Sequence, residues 1–284
     1  MKKIILILAL SLIGSGVLAA CEDVKCVEPY DLSSSFSRFF STVTGQKLLA
    51  EKIGQGILKK TVKKNIISGK IKSDVKSYSA TDLKAGRFKS VKISGKDVNI
   101  QGVHISSFEA KTLCNFNYIT QDKNGNVVVK EDMPLAISVV MTEDDLNNTM
   151  NSSDYKRFID NINRFGGNLN ILNIESTSVQ LKDNKMHYLL KYSIPFVRKS
   201  KEVRLVSDLR IENGKIQLAN TSYENRNFAL DIDKFSKILN YINPLDFSAK
   251  VLENKEAKLN IENVKIDNDK INISGRITVL KDKE

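Results

Sequence analysis

Apolar residues fall on every second position of "KMHYLLKYSIPF", at Met186, Tyr188, Leu190, Tyr192, Ile194 and Phe196. A period of two places them all on one face of a long, aromatic-rich strand. The same alternation runs through Val203, Leu205, Leu209 and Ile211, breaks at Asn213 and Gly214, and resumes at Ile216 and Leu218. Asn-Gly between two alternating runs predicts a hairpin. Shorter strands are predicted at Val91 and Ile93, then, after a turn, at Val98 and Ile100 and at Val103 and Ile105. A further hairpin is predicted with its turn at Asn124 and Gly125. The chain closes on Leu259, Ile261, Val264 and Ile266, a turn at Asp267 to Asp269, and Ile271, Ile273, Ile277 and Val279.

From about Gly45 to Ile67 the period lengthens to that of a helix, with Leu49, Ile53 and Ile57 in one row and Leu58, Val62 and Ile66 in a second. On a straight helix the second row lies about 100° round from the first. Either the helix bends near Gly54 and Gly56, or both sides are covered; Ser68 to Lys70 should end it. Thr142 with Asp145 three residues on makes a capping-box signature for a second helix. A further helical turn from Ser153 to Phe165 stops at Gly166 and Gly167, and a helix from about Asp231 to Tyr241 is ended by Pro244. The sum is an α+β fold built on a mostly antiparallel sheet, with no linker dividing it. The helices at 45–67, 142–165 and 231–241 are the candidates to cover its apolar faces.

The N-terminus changes the picture. Lys2 and Lys3 precede an uncharged run from Ile4 to Ala20, which reads as an export signal. A spanning helix fits less well, because Ile4 to Leu12 is too short for a hydrocarbon core of about 30 Å. Leu18, Ala19, Ala20 and Cys21 form a Leu-Ala-Ala-Cys box similar to that of bacterial lipoproteins. That resemblance implies a diacylglyceryl group on the Cys21 thiol, carrying acyl chains such as palmitate, and a cut that leaves Cys21 first. Two chains are what stable anchoring requires, at about 0.8 kcal/mol per buried CH₂. The alternative is ordinary cleavage after Ala19 or Ala20, leaving a free thiol. The expected organisation is therefore a signal peptide over 1–20, a lipidated N-terminus and tether over 21–44, and one domain over 45–284, exported and lipid-anchored in the cell membrane or an outer membrane, facing the periplasm or the cell exterior.

The formal charge is +11, and loss of Lys2 and Lys3 leaves +9. An exported basic protein meets anionic head groups or wall polymers more often than nucleic acid. The lysines are spread out, with one compact run at Lys59, Lys60, Lys63 and Lys64 that reads either as a solvated face or as a head-group contact. With Cys21 acylated, Cys26 and Cys114 are free to form a disulfide or to remain two thiols.

Chemistry is sparse. His104 and His187, the only histidines, each sit in an alternating strand, without a G-x-S-x-G elbow or H-E-x-x-H run. The acidic cluster Glu143, Asp144 and Asp145 occupies a first helical turn, where the macrodipole favours it. No catalytic residue, metal site or cofactor is expected, and the chain does not read as an enzyme.

"GRFKSVKISGKDVNIQGVHISSFEAKT" and "PLAISVVMTEDDLNNTM", followed by paired strands with an Asn-Gly turn, resemble the LmeA-like phospholipid-binding proteins, a bacterial branch similar to the tubular lipid-binding superfamily. The resemblance covers roughly residues 45 to 280. It implies a long, curved antiparallel sheet wrapped round a long N-terminal helix, with further short helices and an elongated groove for acyl chains. The implied partner is a phospholipid or other acyl lipid, held by a monomer for transfer or envelope maintenance. Candidate lining residues are Leu49, Ile53 and Ile57 on the helix and Tyr188, Leu190, Tyr192, Ile194 and Phe196 on the long strand. The competing expectation is a structural or interaction lipoprotein whose apolar faces pack into a solid core and whose surface meets wall polymer or a protein.

Overall fold

The structure is a computed structural model that describes residues 24–64, 66–123, 127–165, 173–194, 199–224, 232–252 and 257–282. It is an α+β fold with two antiparallel sheets and a few helices.

The larger sheet holds β1 (Ser68–Ser77), β2 (Arg87–Ile100), β3 (Val103–Thr112), β4 (Asn117–Gln121), β5 (Val127–Val129), β6 (Met133–Thr142), β11 (Ala257–Asp267) and β12 (Lys270–Val279). Its order is β11-β12-β6-β3-β2-β4-β5, and β1 also pairs with β2, antiparallel. The smaller sheet is a four-stranded meander of β7 (Asn173–Lys182), β8 (Lys185–Ser193), β9 (Lys201–Glu212) and β10 (Lys215–Tyr223). Asn213 and Gly214 make the β9–β10 turn with φ of 52° and 70°, a left-handed pair that Asn-Gly adopts at little cost. The β4–β5 hairpin is present, though its turn at Asn124 and Gly125 lies outside the described residues.

β2 corrects one expectation. Where two short strands and a turn were predicted, one strand of 14 residues runs straight through. Its buried positions change parity between Gly95 and Val98, which imitates a turn in the sequence. Gly95 stands where the Phe108 ring crosses from β3, and a Cβ there would lie 2.2 Å from the ring.

The helices are α1 (Ser35–Val43), α2 (Gln46–Lys63), α3 (Ala80–Lys84), α4 (Glu143–Asn151), α5 (Ser153–Phe165), α6 (Ile232–Tyr241) and α7 (Pro244–Leu252). Both halves of the predicted capping box of α4 are made: Thr142 accepts from the Asp145 N–H, and Asp145 accepts from the Thr142 N–H. Of these seven described helices, three lie outside the expected ones: α3 is a single short turn-and-a-half after β1, capped by Ser79, which accepts the Asp82 N–H. α1 lies in the stretch read as a tether, and α7 begins at the proline read as a stop, because Pro is favoured in the first helical turn. Asn243 accepts the Leu245 N–H at 3.1 Å and starts that helix.

The region expected as a free tether is fastened to the body from residue 24 onward. Cys26 and Cys114 form a disulfide, with Cα atoms 5.4 Å apart. Tyr30 donates to Glu131 at 2.8 Å, Asp31 pairs with Arg87, and Ser33 gives its N–H and hydroxyl to the Asp82 carboxylate. No described helix is long and apolar enough to cross a membrane.

One buried cluster runs through both sheets, from Val62 and Ile71 to Leu190, Phe235 and Val279. α6 and α7 lie on the small sheet: Tyr192 meets Phe235 ring to ring at 5.6 Å, and Tyr155 of α5 meets Phe247 at 5.2 Å.

Candidate functional site

α2 lies along β1 and is clamped there by polar contacts. Ser77 gives its N–H and its hydroxyl to Glu51, at 2.7 and 3.0 Å, Gln55 donates to Asp74 at 2.9 Å, and Ser73 donates to the Gln55 carbonyl at 2.9 Å. These clamps set the rotation of the helix and separate its two apolar rows. Val62 is 1% exposed, and Leu58 and Ile66 pack against the core. Leu49, Ile53 and Ile57 stand 61, 55 and 63% exposed. One row is packed, with Leu58 also bordering the groove beside it, and the other is left open.

The open row faces a groove of about 970 Å³. That is the upper end of the span of about 300–1,000 Å³ typical of ligand pockets. Leu49, Ile53 and Ile57 form one wall. Facing them are Phe88 and Val91 of β2 and Met133 and Leu135 of β6, all buried core residues turned toward the same space. Ile119 of β4 and Val127 of β5 close a side, and Leu83 of α3 another. Polar groups are few; Gln46, Lys84 and Gln121 are exposed lining residues, which places them at the mouth.

Gly86 shapes that closed side. Its φ is 84°, and a Cβ built on it would lie 1.6 Å from the Ile119 carbonyl oxygen. The same carbonyl-to-glycine approach lets Ile119 donate its N–H to the Gly86 oxygen at 3.0 Å, joining the end of α3 to β4.

The strand half of the predicted lining is elsewhere. Tyr188, Leu190 and Tyr192 are buried to 2, 0 and 0% exposure on β8 of the smaller sheet, and none of them lines this groove. Helices lie over that sheet: Phe235 of α6 meets the Tyr192 ring, and α6 and α7 both pack on β10. Ile194, just past β8, is half-buried against the same core, and Phe196 lies outside the described residues, as does Cys21. Burial pushes the Tyr188 and Tyr192 phenols above their ordinary pKa. Conversely, Phe88, Val91, Met133 and Leu135 were not singled out, since an inward strand residue that touches a ligand looks in sequence like one that touches its neighbours.

The histidines sit in polar contacts on strands: His104 Nε2 is 3.0 Å from the Asn99 amide, and His187 Nδ1 is 3.2 Å from Glu224. Among the described residues no three His, Cys, Asp or Glu side chains gather as a metal site would need.

An open apolar groove on a fold of this kind can be set against known proteins. The model of the LmeA-like phospholipid-binding family matches residues 68–276, most of the chain. The chain belongs to that family. The match begins at β1 and runs through both sheets to residue 276 within β12, whereas α1 and α2 precede it. No curated protein and no solved structure matches the chain. An LmeA-like assignment supports lipid binding, and the groove is where the described structure offers an apolar site of suitable size.

Proposed function

We propose that this LmeA-like protein is a lipoprotein, exported and held on the outer side of a cell membrane by acylated Cys21, which takes phospholipid acyl chains into the groove between α2 and the larger sheet. One observation carries this reading: three aliphatic residues of α2 stay more than half exposed while facing a wall of core residues. Leaving such side chains in water forgoes about 1.5–3 kcal/mol each, which an apolar ligand restores.

The energetics suit exchange with a bilayer. Moving an acyl chain of sixteen carbons from hydrocarbon into water costs about 12 kcal/mol, at about 0.8 per CH₂. A groove lined by leucine, isoleucine, valine and phenylalanine offsets most of that, so loading and unloading are nearly balanced. Lys84 and Gln121, exposed lining residues at the mouth, would meet the head group of such a lipid. The protein acts as a monomeric binder, for transfer or envelope maintenance, and performs no chemistry on the lipid.

A photoactivatable phospholipid in vesicles bearing the full chain tests the groove. Adducts should map to α2 between Leu49 and Ile57 and to β2; adducts confined to other surfaces sink the reading in favour of a solid-cored interaction lipoprotein. Incorporation of labelled palmitate should vanish in Cys21→Ser.

A further inference from the structure

α1 carries its amphipathicity inside out. Phe36, Phe39, Phe40 and Val43 recur at helical spacing on one face and are 78, 68, 51 and 67% exposed. The polar face is the one fastened to the body. Ser41 is buried and accepts the Ala80 N–H at 3.0 Å, Arg38 donates to the Ser33 carbonyl at 2.6 Å, and Ser33 is bonded in turn to Asp82. Ser34 caps the helix by accepting the Ser37 N–H at 3.2 Å. The rings of Phe36 and Phe40 stack at 6.3 Å, outside the protein. Rotating the helix to bury them would break these bonds, so the aromatic face is held outward by construction.

We propose that this face inserts into an anionic lipid bilayer and seats the mouth of the groove on the membrane. Charge is the first argument for that partner. Between Ser35 and Lys64 stand Arg38, Lys47, Lys52, Lys59, Lys60, Lys63 and Lys64, against the single carboxylate of Glu51, which is turned inward onto Ser77. Lys52, Lys59 and Lys63 share one exposed side of α2, adjoining the row that faces the groove. An aromatic face flanked by lysines is the pattern of a helix that lies in the plane of a charged interface.

Reach is the second argument, and it rests on the acylated Cys21 of the proposed function. The disulfide at Cys26 leaves four residues, five Cα-to-Cα steps, between the anchor and the body. Fully extended, they span at most about 18 Å. The covalent anchor therefore cannot let the body stand far off, and the surface near Cys114 must face the bilayer. Tyr78 of that region donates to the Asn115 carbonyl, and Ala80, two residues on, is the residue bonded to Ser41 of α1. The aromatic face is thus on the end the anchor pulls down.

The chain has no tryptophan, so Phe39→Trp makes a single reporter. In the full chain held in vesicles of phosphatidylglycerol and phosphatidylcholine, its emission should shift to the blue and be quenched by lipids bearing a nitroxide near the head group. Access to acrylamide should rise by about tenfold on pure phosphatidylcholine vesicles or in high salt, as lysine attraction is lost. Emission that stays water-like on anionic vesicles overturns the proposal, as does shielding in detergent solution that grows with protein concentration, which would make the face a self-association surface. The triple replacement of Phe36, Phe39 and Phe40 by Ser should abolish nitroxide proximity, reported by a tryptophan at Val43, and preserve phospholipid adducts in the groove. Loss of adducts with docking intact would sink the groove reading instead, so the two failures are separable.

Discussion

Glu51 on α2 accepts two hydrogen bonds from Ser77 at the end of β1, 2.7 Å from its N–H and 3.0 Å from its hydroxyl, with both residues buried. This pair decides which side of α2 meets the sheet and hence which side stays open. Glu51→Ala leaves the Ser77 groups unpaired in a buried site and should cost about 1–3 kcal/mol. Glu51→Gln keeps an acceptor and should recover part of it. Urea unfolding gives the stability, and hydrogen exchange should show faster opening of α2 in the alanine variant than in the strands. Equal exchange in both would mean that the pair does not hold the helix.

Ile53 and Leu190 separate a ligand contact from a core contact. Ile53 is 55% exposed, so Ile53→Asn should move the unfolding free energy by no more than about 0.5 kcal/mol. Yet it removes an apolar wall, and uptake of a fluorescent phospholipid should fall by about tenfold, the equivalent of some 1.4 kcal/mol. Leu190 is fully buried; Leu190→Ala should cost about 2–5 kcal/mol and leave uptake per folded molecule unchanged. A large stability loss in Ile53→Asn would return the α2 row to the core.

What the sequence could show of this site follows from what each residue has to satisfy. Leu49, Ile53 and Ile57 were legible because a helix carrying two apolar rows about 100° apart has more apolar surface than one sheet can cover. Tyr188, Leu190 and Tyr192 misled for the opposite reason: a long apolar strand face looks uncovered when a covering helix is missed, and α7 hid behind Pro244. α1 was hidden by its serines, whose hydroxyls serve as cap and anchor here but signal an open tether in a linear reading. β1 escaped because only Ile71 and Val75 of "SGKIKSDVKS" are apolar. Its pairing comes from β2 and from the clamps to α2, neither of them local. The hairpins needed nothing beyond their own alternation and turn residues, and most were visible.

Asp82 makes the attachment of the N-terminal segment sensitive to acid. Burial alone would raise its pKa, but hydrogen bonds from Ser79 and from the N–H and hydroxyl of Ser33, with Arg38 nearby, outweigh it and hold the carboxyl below its ordinary value. A depressed folded pKa contributes stability that is full above the unfolded value of about 3.9 and is lost as pH falls through the folded one. Asp82→Asn should therefore cost about 1–3 kcal/mol at neutral pH. The gap from the parent should narrow steadily below about pH 4. Unfolding curves measured from pH 7 downward check this, and a gap independent of pH would assign the cost to geometry and not to charge.

The Cys26–Cys114 disulfide closes a loop with a sequence separation of 88 that contains α1, α2 and the first strands. Restricting an unfolded chain over that span is worth about 4–5 kcal/mol on the chain-entropy account. The folded segment keeps other attachments: Tyr30 still reaches Glu131, and Ser33 still reaches Asp82. So replacing both cysteines by serine should lower the unfolding midpoint strongly while leaving residues 30–43 in place below it. Urea titration with and without reductant measures the first effect, and hydrogen exchange at the α1 amides measures the second. If exchange at α1 instead rises to the rate of an unstructured peptide as soon as the bond is cut, the disulfide is what fastens the aromatic helix to the body, and the hydrogen bonds of Ser33 and Ser41 merely follow it.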